Sequence, residues 1–176
     1  MILGLDISTS ITGVTVLNED GTVLHNEAIN LTSKKLESIL QKAEVVKKRL
    51  TELKYLYNIN KIYIEQSLNA FRPGLSSANV ILTLGKMNGV ISWICYVVYG
   101  KEPEYIPVMT ARKELGIKVE RGANAKEVVL KHVLDTVIGF EVEYTAAGNP
   151  KAGAYDRADS YVIAKAGYLQ CQRQKS

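Results

Sequence analysis

The chain has 176 residues, 47% of them hydrophobic and 23% charged, and it carries a formal charge of +4. This is long enough for one domain with a substantial core, and no Pro-, Gly- or Ser-rich linker divides it, so residues 1–176 are expected to form a single domain. So mild a charge permits an anionic partner without demanding one, while Cys95 and Cys171 have neither a CxxC spacing nor a histidine partner and so argue against a thiolate metal site.

From the N-terminus, Ile2 to Ile7 is a β-rich run, followed by STSIT and a second run from Gly13 to Leu17. Asn18-Glu19-Asp20-Gly21 reads as a turn, and Thr22 to Ile29 alternates enough to be a third strand, so the three strands are expected to form an antiparallel meander. From Ser33 to about Tyr57, Leu36, Ile39, Leu40, Ala43, Val46, Leu50 and Leu53 recur at spacings of three and four, which predicts a long amphipathic helix with Ser33 as its N-cap. Lys34, Lys35, Lys42, Lys47, Lys48, Arg49 and Lys54 read as its solvated face. Lys61 to Glu65 is a fourth strand, reached by that helix as a crossover, and SLNAFRPGLSS is a loop marked by Pro73-Gly74.

Ser77 to Tyr99 predicts a second long helix, apolar on most sides, which something must cover. Its longest uninterrupted apolar stretch, Gly89 to Tyr99, is too short to span a bilayer, and the chain opens on a strand-like run rather than a signal segment. A soluble cytoplasmic protein with reduced thiols is therefore expected. A fifth strand from Glu104 to Val108 precedes a short capped helix from Thr110 to Leu115, a loop from Gly116 to Asn124 and a helix from Ala125 to about Val137. Gly139 to Lys151 is irregular, and Gly153 to Gln170 predicts a terminal helix. This order describes an α/β protein with a mixed sheet and helices on its faces.

Four acidic side chains carry the chemistry: Asp6 in ILGLDIS, Glu65 in KIYIEQS, and Asp156 and Asp159 in AYDRADSYVIA. Taken singly, each has a plain explanation. A strand-end Asp often bonds the amides of a turn, a strand-end Glu is usually exposed, and acids are favoured at a helix N-terminus. Jointly, three apolar elements each bring a carboxylate to one place, which is costly unless the carboxylates hold a cation. Asp156 and Asp159, at i and i+3, point the same way. Oxygen ligands without His or Cys suit Mg²⁺, with Mn²⁺ able to substitute, and two ions suit metal-assisted phosphodiester hydrolysis. Asp6, on the strand expected at the centre, is the candidate bridging ligand, with Glu65 and Asp159 holding one ion each and Asp156 as a fourth ligand. Arg112, Lys113, Lys118, Arg121 and Lys126 span a Gly-containing stretch and are candidates to touch phosphate, as is Arg72 in the loop after Glu65.

With these motifs in view, the chain resembles the RuvC-type Holliday-junction resolvases of the RNase H-like superfamily. ILGLDISTSITGVTVL looks like that family's first two strands and leading catalytic Asp, IYIEQSLNA with SSANVILTLGKMNGVI like its second acidic motif and dimer-forming helix, and YDRADSYVIAKAGY like its last motif. YIPVMTARKELGIKVERGANAKEVVLKHV matches the segment whose basic residues contact DNA, which implies phosphate contacts for Lys126 and for either Arg112 or Lys113. The resemblance implies an RNase H-like fold with three antiparallel and then two parallel strands. It also implies a homodimer through Ser77 to Tyr99, expected to be broken by a charge at Val90 or Ile94, and symmetric cutting of a four-way junction to 5′-phosphate and 3′-hydroxyl ends.

The sequence departs from the common pattern at Ile7-Ser8-Thr9 after the first Asp, at Leu68 where a stacking aromatic is frequent (Phe71 standing nearby), and in an insertion-like stretch from Phe140 to Lys151. These departures suit a phage-type branch, hence a host-cytoplasmic location. Three other readings compete: a nuclease acting on forks or flaps or an RNA-cleaving relative with the same metal chemistry, an actin- or sugar-kinase-like ATPase that GLDISTSITGVTVL alone would fit, and a binding module without cleavage.

Overall fold

The computed structural model describes residues 1–66 and 78–175. β1 (Ile2–Asp6), β2 (Ile11–Leu17) and β3 (Val23–Asn30) form the expected antiparallel meander. α1 (Ile39–Leu56) carries the chain back to β4 (Lys61–Glu65), parallel to β1, and α2 (Ala78–Tyr99) leads to β5 (Glu104–Ile106), parallel to β4. The strand order β3-β2-β1-β4-β5 puts β1 at the centre, as expected. α3 (Val108–Glu114), α4 (Ala125–Thr136) and α5 (Ala154–Lys175) follow.

Sidedness follows from the two-residue period of a strand. Leu3, Leu5, Val14, Val16, Ile62 and Ile64 share one core with Val46, Leu50 and Leu53 of α1 and Ile91 and Cys95 of α2. Ile2, Leu17 and Tyr63 share the other with Ala111 of α3, Val133 of α4 and Ala158, Val162 and Ile163 of α5. Asp6 has the parity of Ile2, and Glu65 that of Tyr63, so both acids lie on the face that α5 covers. That helix packs directly on β1 and β2 because glycine admits it: a Cβ on Gly4 would stand 2.5 Å from the Ala164 Cβ, and one on Gly13 would collide with the Asp156 carbonyl oxygen.

Several boundaries differ from expectation, each for a local reason. Ser38, not Ser33, caps α1: its Oγ accepts the Gln41 amide while the Gln41 side chain accepts the Ser38 amide. Upstream, Asn30 Oδ1 accepts the Thr32 amide and Ser33 Oγ the Lys35 amide, turn bonds that compete with helix, so Lys34 and Lys35 precede it. β5 stops at Ile106 because Pro107 becomes the N-cap of α3, which places Thr110 inside that helix rather than at its cap.

α2 differs most. At 22 residues it is long and apolar enough to cross a membrane, contrary to the expectation, which measured only its second half. One side of it is built into the fold, with Met87, Ile91, Cys95 and Val98 buried against α1 and the sheet. Ile94 is only 3% exposed and Val90 packs on the same core, so those positions face inward and are not the partner-facing ones. Leu82, Gly85, Gly89, Trp93, Tyr96 and Val97 face outward.

Candidate active site

Parallel pairing of Leu5 with Ile64 leads directly to Asp6 and Glu65, neighbours at the C-terminal ends of β1 and β4. Antiparallel pairing sets Asp6 opposite Gly13, whose bare backbone receives the first turn of α5 and with it Asp156 and Asp159. The turn after Asp6 does not use its carboxylate. Ser8 closes it instead, its Oγ accepting the amides of Ser10 and Ile11 and donating to the Ile11 carbonyl. Lys42 Nζ ties that turn to α1 through the Thr9 carbonyl at 2.6 Å.

The four carboxylates act on one another. Burial, followed by repulsion from Glu65, Asp159 and Asp156, holds the Asp6 carboxyl well above its usual range. Glu65 is pushed up to about 7 by burial and then by Asp159. Burial also raises Asp159, which is 8% exposed, and Asp156, where a hydrogen bond to its own backbone opposes the rise. As placed, no three His, Cys, Asp or Glu side chains among the described residues stand close enough to ligate a single ion.

Two of the predicted cations reach this cluster. Lys126 opposes the rise at all four acids, and Arg112 at Glu65 and Asp159. Lys126 is exposed on the first turn of α4, behind its Asn124 cap. The Arg112 Nε is buried without a hydrogen-bond partner among the described residues. Between Arg112 and Lys113, which the sequence left open, the structure brings Arg112 to the carboxylates; Lys113, Lys118 and Arg121 are exposed. Arg72, Phe71 and Leu68 lie outside the described residues.

Three supporting residues escaped the sequence reading. Gly13 reads as an ordinary strand glycine until its position opposite Asp6 is known. Lys42 was grouped with the solvated face of α1. Asn88, read only as an interruption of an apolar stretch, is buried on α2 with its Nδ2 donating to the Glu65 carbonyl at 3.3 Å. A polar amide on an apolar helix is the one signal that could have flagged it.

No family model matches the chain, and no curated protein matches it. Solved structures do. RuvC of Thermus thermophilus in complex with Holliday junction substrate superposes with a TM-score of 0.68 at 14% identity, over 98% of this chain and 94% of that one. Another T. thermophilus RuvC structure gives 0.66 at 18% identity, over 98% and 96%. The yeast mitochondrial Holliday junction resolvase Ydc2 gives 0.60 at 16% identity, over 99% of this chain and 82% of that one. At such identities the likeness is one of architecture, and it establishes that this chain has the RuvC-type, RNase H-like fold.

Proposed function

We propose that the protein is a metal-dependent, structure-selective endodeoxyribonuclease that resolves four-way DNA junctions by paired nicks, leaving 5′-phosphate and 3′-hydroxyl ends. One observation carries this reading: Asp6, Glu65, Asp156 and Asp159 lie near enough to influence one another's charge, as do Lys126 and Arg112, on a fold shared with junction resolvases.

The residues fit a divalent cation. Oxygen donors alone suit Mg²⁺ or Mn²⁺, and carboxylates raised by burial and mutual repulsion are the groups a cation would relieve. Asp6, on the central strand, together with Glu65, Asp159 and Asp156, would hold the cations. Bound divalent cations supply an activated water and charge compensation for the leaving oxygen in an in-line displacement at phosphorus. Arg112 and Lys126 supply the positive charge that draws the phosphodiester onto the acids and holds it there.

Paired nicks need two sites, and the outward stripe of α2 supplies a basis for a homodimer. Gly85 and Gly89 leave open space where another helix could approach, flanked by Leu82, Trp93, Tyr96 and Val97. The test is incubation with a synthetic immobile four-way junction, a fork, a flap and plain duplex in Mg²⁺, Ca²⁺ and EDTA. Paired, symmetric nicks in the junction in Mg²⁺ alone support the proposal. Preference for the fork or flap would shift it to the broader nuclease reading, and no cleavage of any substrate would refute it.

A further inference from the structure

Beyond the ligands themselves, something must fix the rotation of α5 about its own axis, because that rotation decides where Asp156 and Asp159 point. A carboxylate about 5–6 Å from a helix axis moves about 2 Å when the helix turns by about 20°, and errors of about 1 Å already matter to a catalytic constellation. The contact at Gly13 allows α5 to come close and the buried face of Ala158, Val162 and Ile163 sets its broad orientation, which leaves the finer angle of the first turn to polar contacts.

Arg157 lies between the two acids in sequence and, at roughly 100° per residue, leaves the helix on a different side from either. Its Nε donates to Asn26 Oδ1 at 2.7 Å, its Nη1 donates to the Glu141 carbonyl at 3.0 Å, and its guanidinium carbon stands 4.7 Å from the centre of the Phe140 ring. Asn26, on β3, also grips the backbone of the same residue: its Nδ2 donates to the Arg157 carbonyl at 3.0 Å and to Thr15 Oγ1 at 2.7 Å. Ser160 Oγ donates to that carbonyl at 2.9 Å and lies 2.8 Å from Thr15 Oγ1, both hydroxyl residues being fully buried. One asparagine thus holds an arginine by side chain and main chain together. The network spans β2, β3, the first turn of α5 and the insertion-like segment before it. Among the described residues Arg157 has no carboxylate partner, so its bonds read as placement rather than charge neutralisation.

We infer that Asn26 and Arg157 are positioning residues for the metal-binding carboxylates, locking the first turn of α5 at the angle that presents Asp156 and Asp159, with Phe140 and Glu141 of the insertion-like segment completing the lock. This rests on the proposed function, and it gives that segment a task within the reaction. Partners one shell behind a ligand typically govern metal affinity by about 10–100-fold.

The test compares wild type with Asn26→Ala, Arg157→Ala, Arg157→Lys and a stability control, Leu53→Ala, in the fully buried core against α1. Two readouts are taken: the Mg²⁺ concentration giving half of the maximal rise in Tm without DNA, and junction affinity in Ca²⁺ as a function of salt. The expected result is a Mg²⁺ midpoint raised at least about tenfold in both alanine variants, with Arg157→Lys in between because one donor still reaches Asn26. Leu53→Ala should lower Tm and leave the midpoint in place, and no variant should change the salt slope. An unmoved midpoint in Asn26→Ala and Arg157→Ala, with wild type responding normally to Mg²⁺, would overturn the lock alone. A salt slope reduced by about one in Arg157→Ala would put that guanidinium on DNA instead and also overturn it. Absence of any Mg²⁺ response in wild type would bring down the metal site and the lock together.

Discussion

Replacing Glu65 by Gln should make the protein more stable while destroying its site. Burial and Asp159 push the Glu65 carboxyl from its ordinary 4.5 up to about 7. Because the folded state binds this proton more tightly than the unfolded chain, stability contributed here is present at low pH and is lost as pH rises from 4.5 through about 7. A rise of that size corresponds to about 3 kcal/mol at pH 8. Part of it is shared with Asp159, which relaxes when one of the pair is neutral, so the gain for Glu65→Gln is set at about 2 kcal/mol, or about 4–8 °C in Tm for a chain of this length. The assay is thermal unfolding of both proteins in EDTA across pH 4 to 8. The variant should be the more stable at pH 8, and the two curves should converge as pH falls toward 4. Adding Mg²⁺ should then raise the wild-type Tm and leave the variant nearly unmoved. A variant equal to or less stable than wild type at pH 8 in EDTA, or a gain independent of pH, would refute the reasoning, because either result means that Glu65 is not held against its charge.

Three further outcomes are expected. Asp6→Asn and Asp159→Asn should each abolish junction cleavage while leaving junction binding in Ca²⁺ within about threefold, since they remove ligand charge and not the basic surface; retained Mg²⁺-dependent nicking in either would count against their role. Lys126→Ala should weaken junction binding and lower the salt slope of affinity by about one phosphate contact, and an unchanged slope measured over several salt concentrations would take Lys126 off the DNA. Trp93→Glu should convert a dimer to a monomer in light scattering without a large loss of Tm, because Trp93 is 62% exposed, whereas an intact dimer would reject the outer face of α2 as the interface.

The legible parts of this fold were those where local chemistry and tertiary role agree. Asp6 and Glu65 end short apolar runs that read as strands, with a helix before the second as a crossover, and the structure sets those two strands side by side and parallel. The i, i+3 spacing of Asp156 and Asp159 was equally plain. What stayed hidden depended on packing direction. The apolar residues of α2 look alike in sequence, yet Val90 and Ile94 point into the core while Trp93 and Val97 point out. The start of α1 was masked by side-chain bonds at Asn30 and Ser33 that divert the backbone before Ser38 can cap it. Gly13 and Asn26 matter only through what α5 brings against them, and no spacing along the chain announces that.

The claim beneath all of this is that carboxylates from β1, β4 and α5 close around divalent cations. Anomalous diffraction from crystals soaked in Mn²⁺ tests it directly. The expected result is one or two Mn²⁺ peaks at coordination distance from Asp6, with Glu65 and Asp159 completing the ligand sets. Ordered Mn²⁺ bound elsewhere, with these three side chains left unligated at saturating metal, would contradict it.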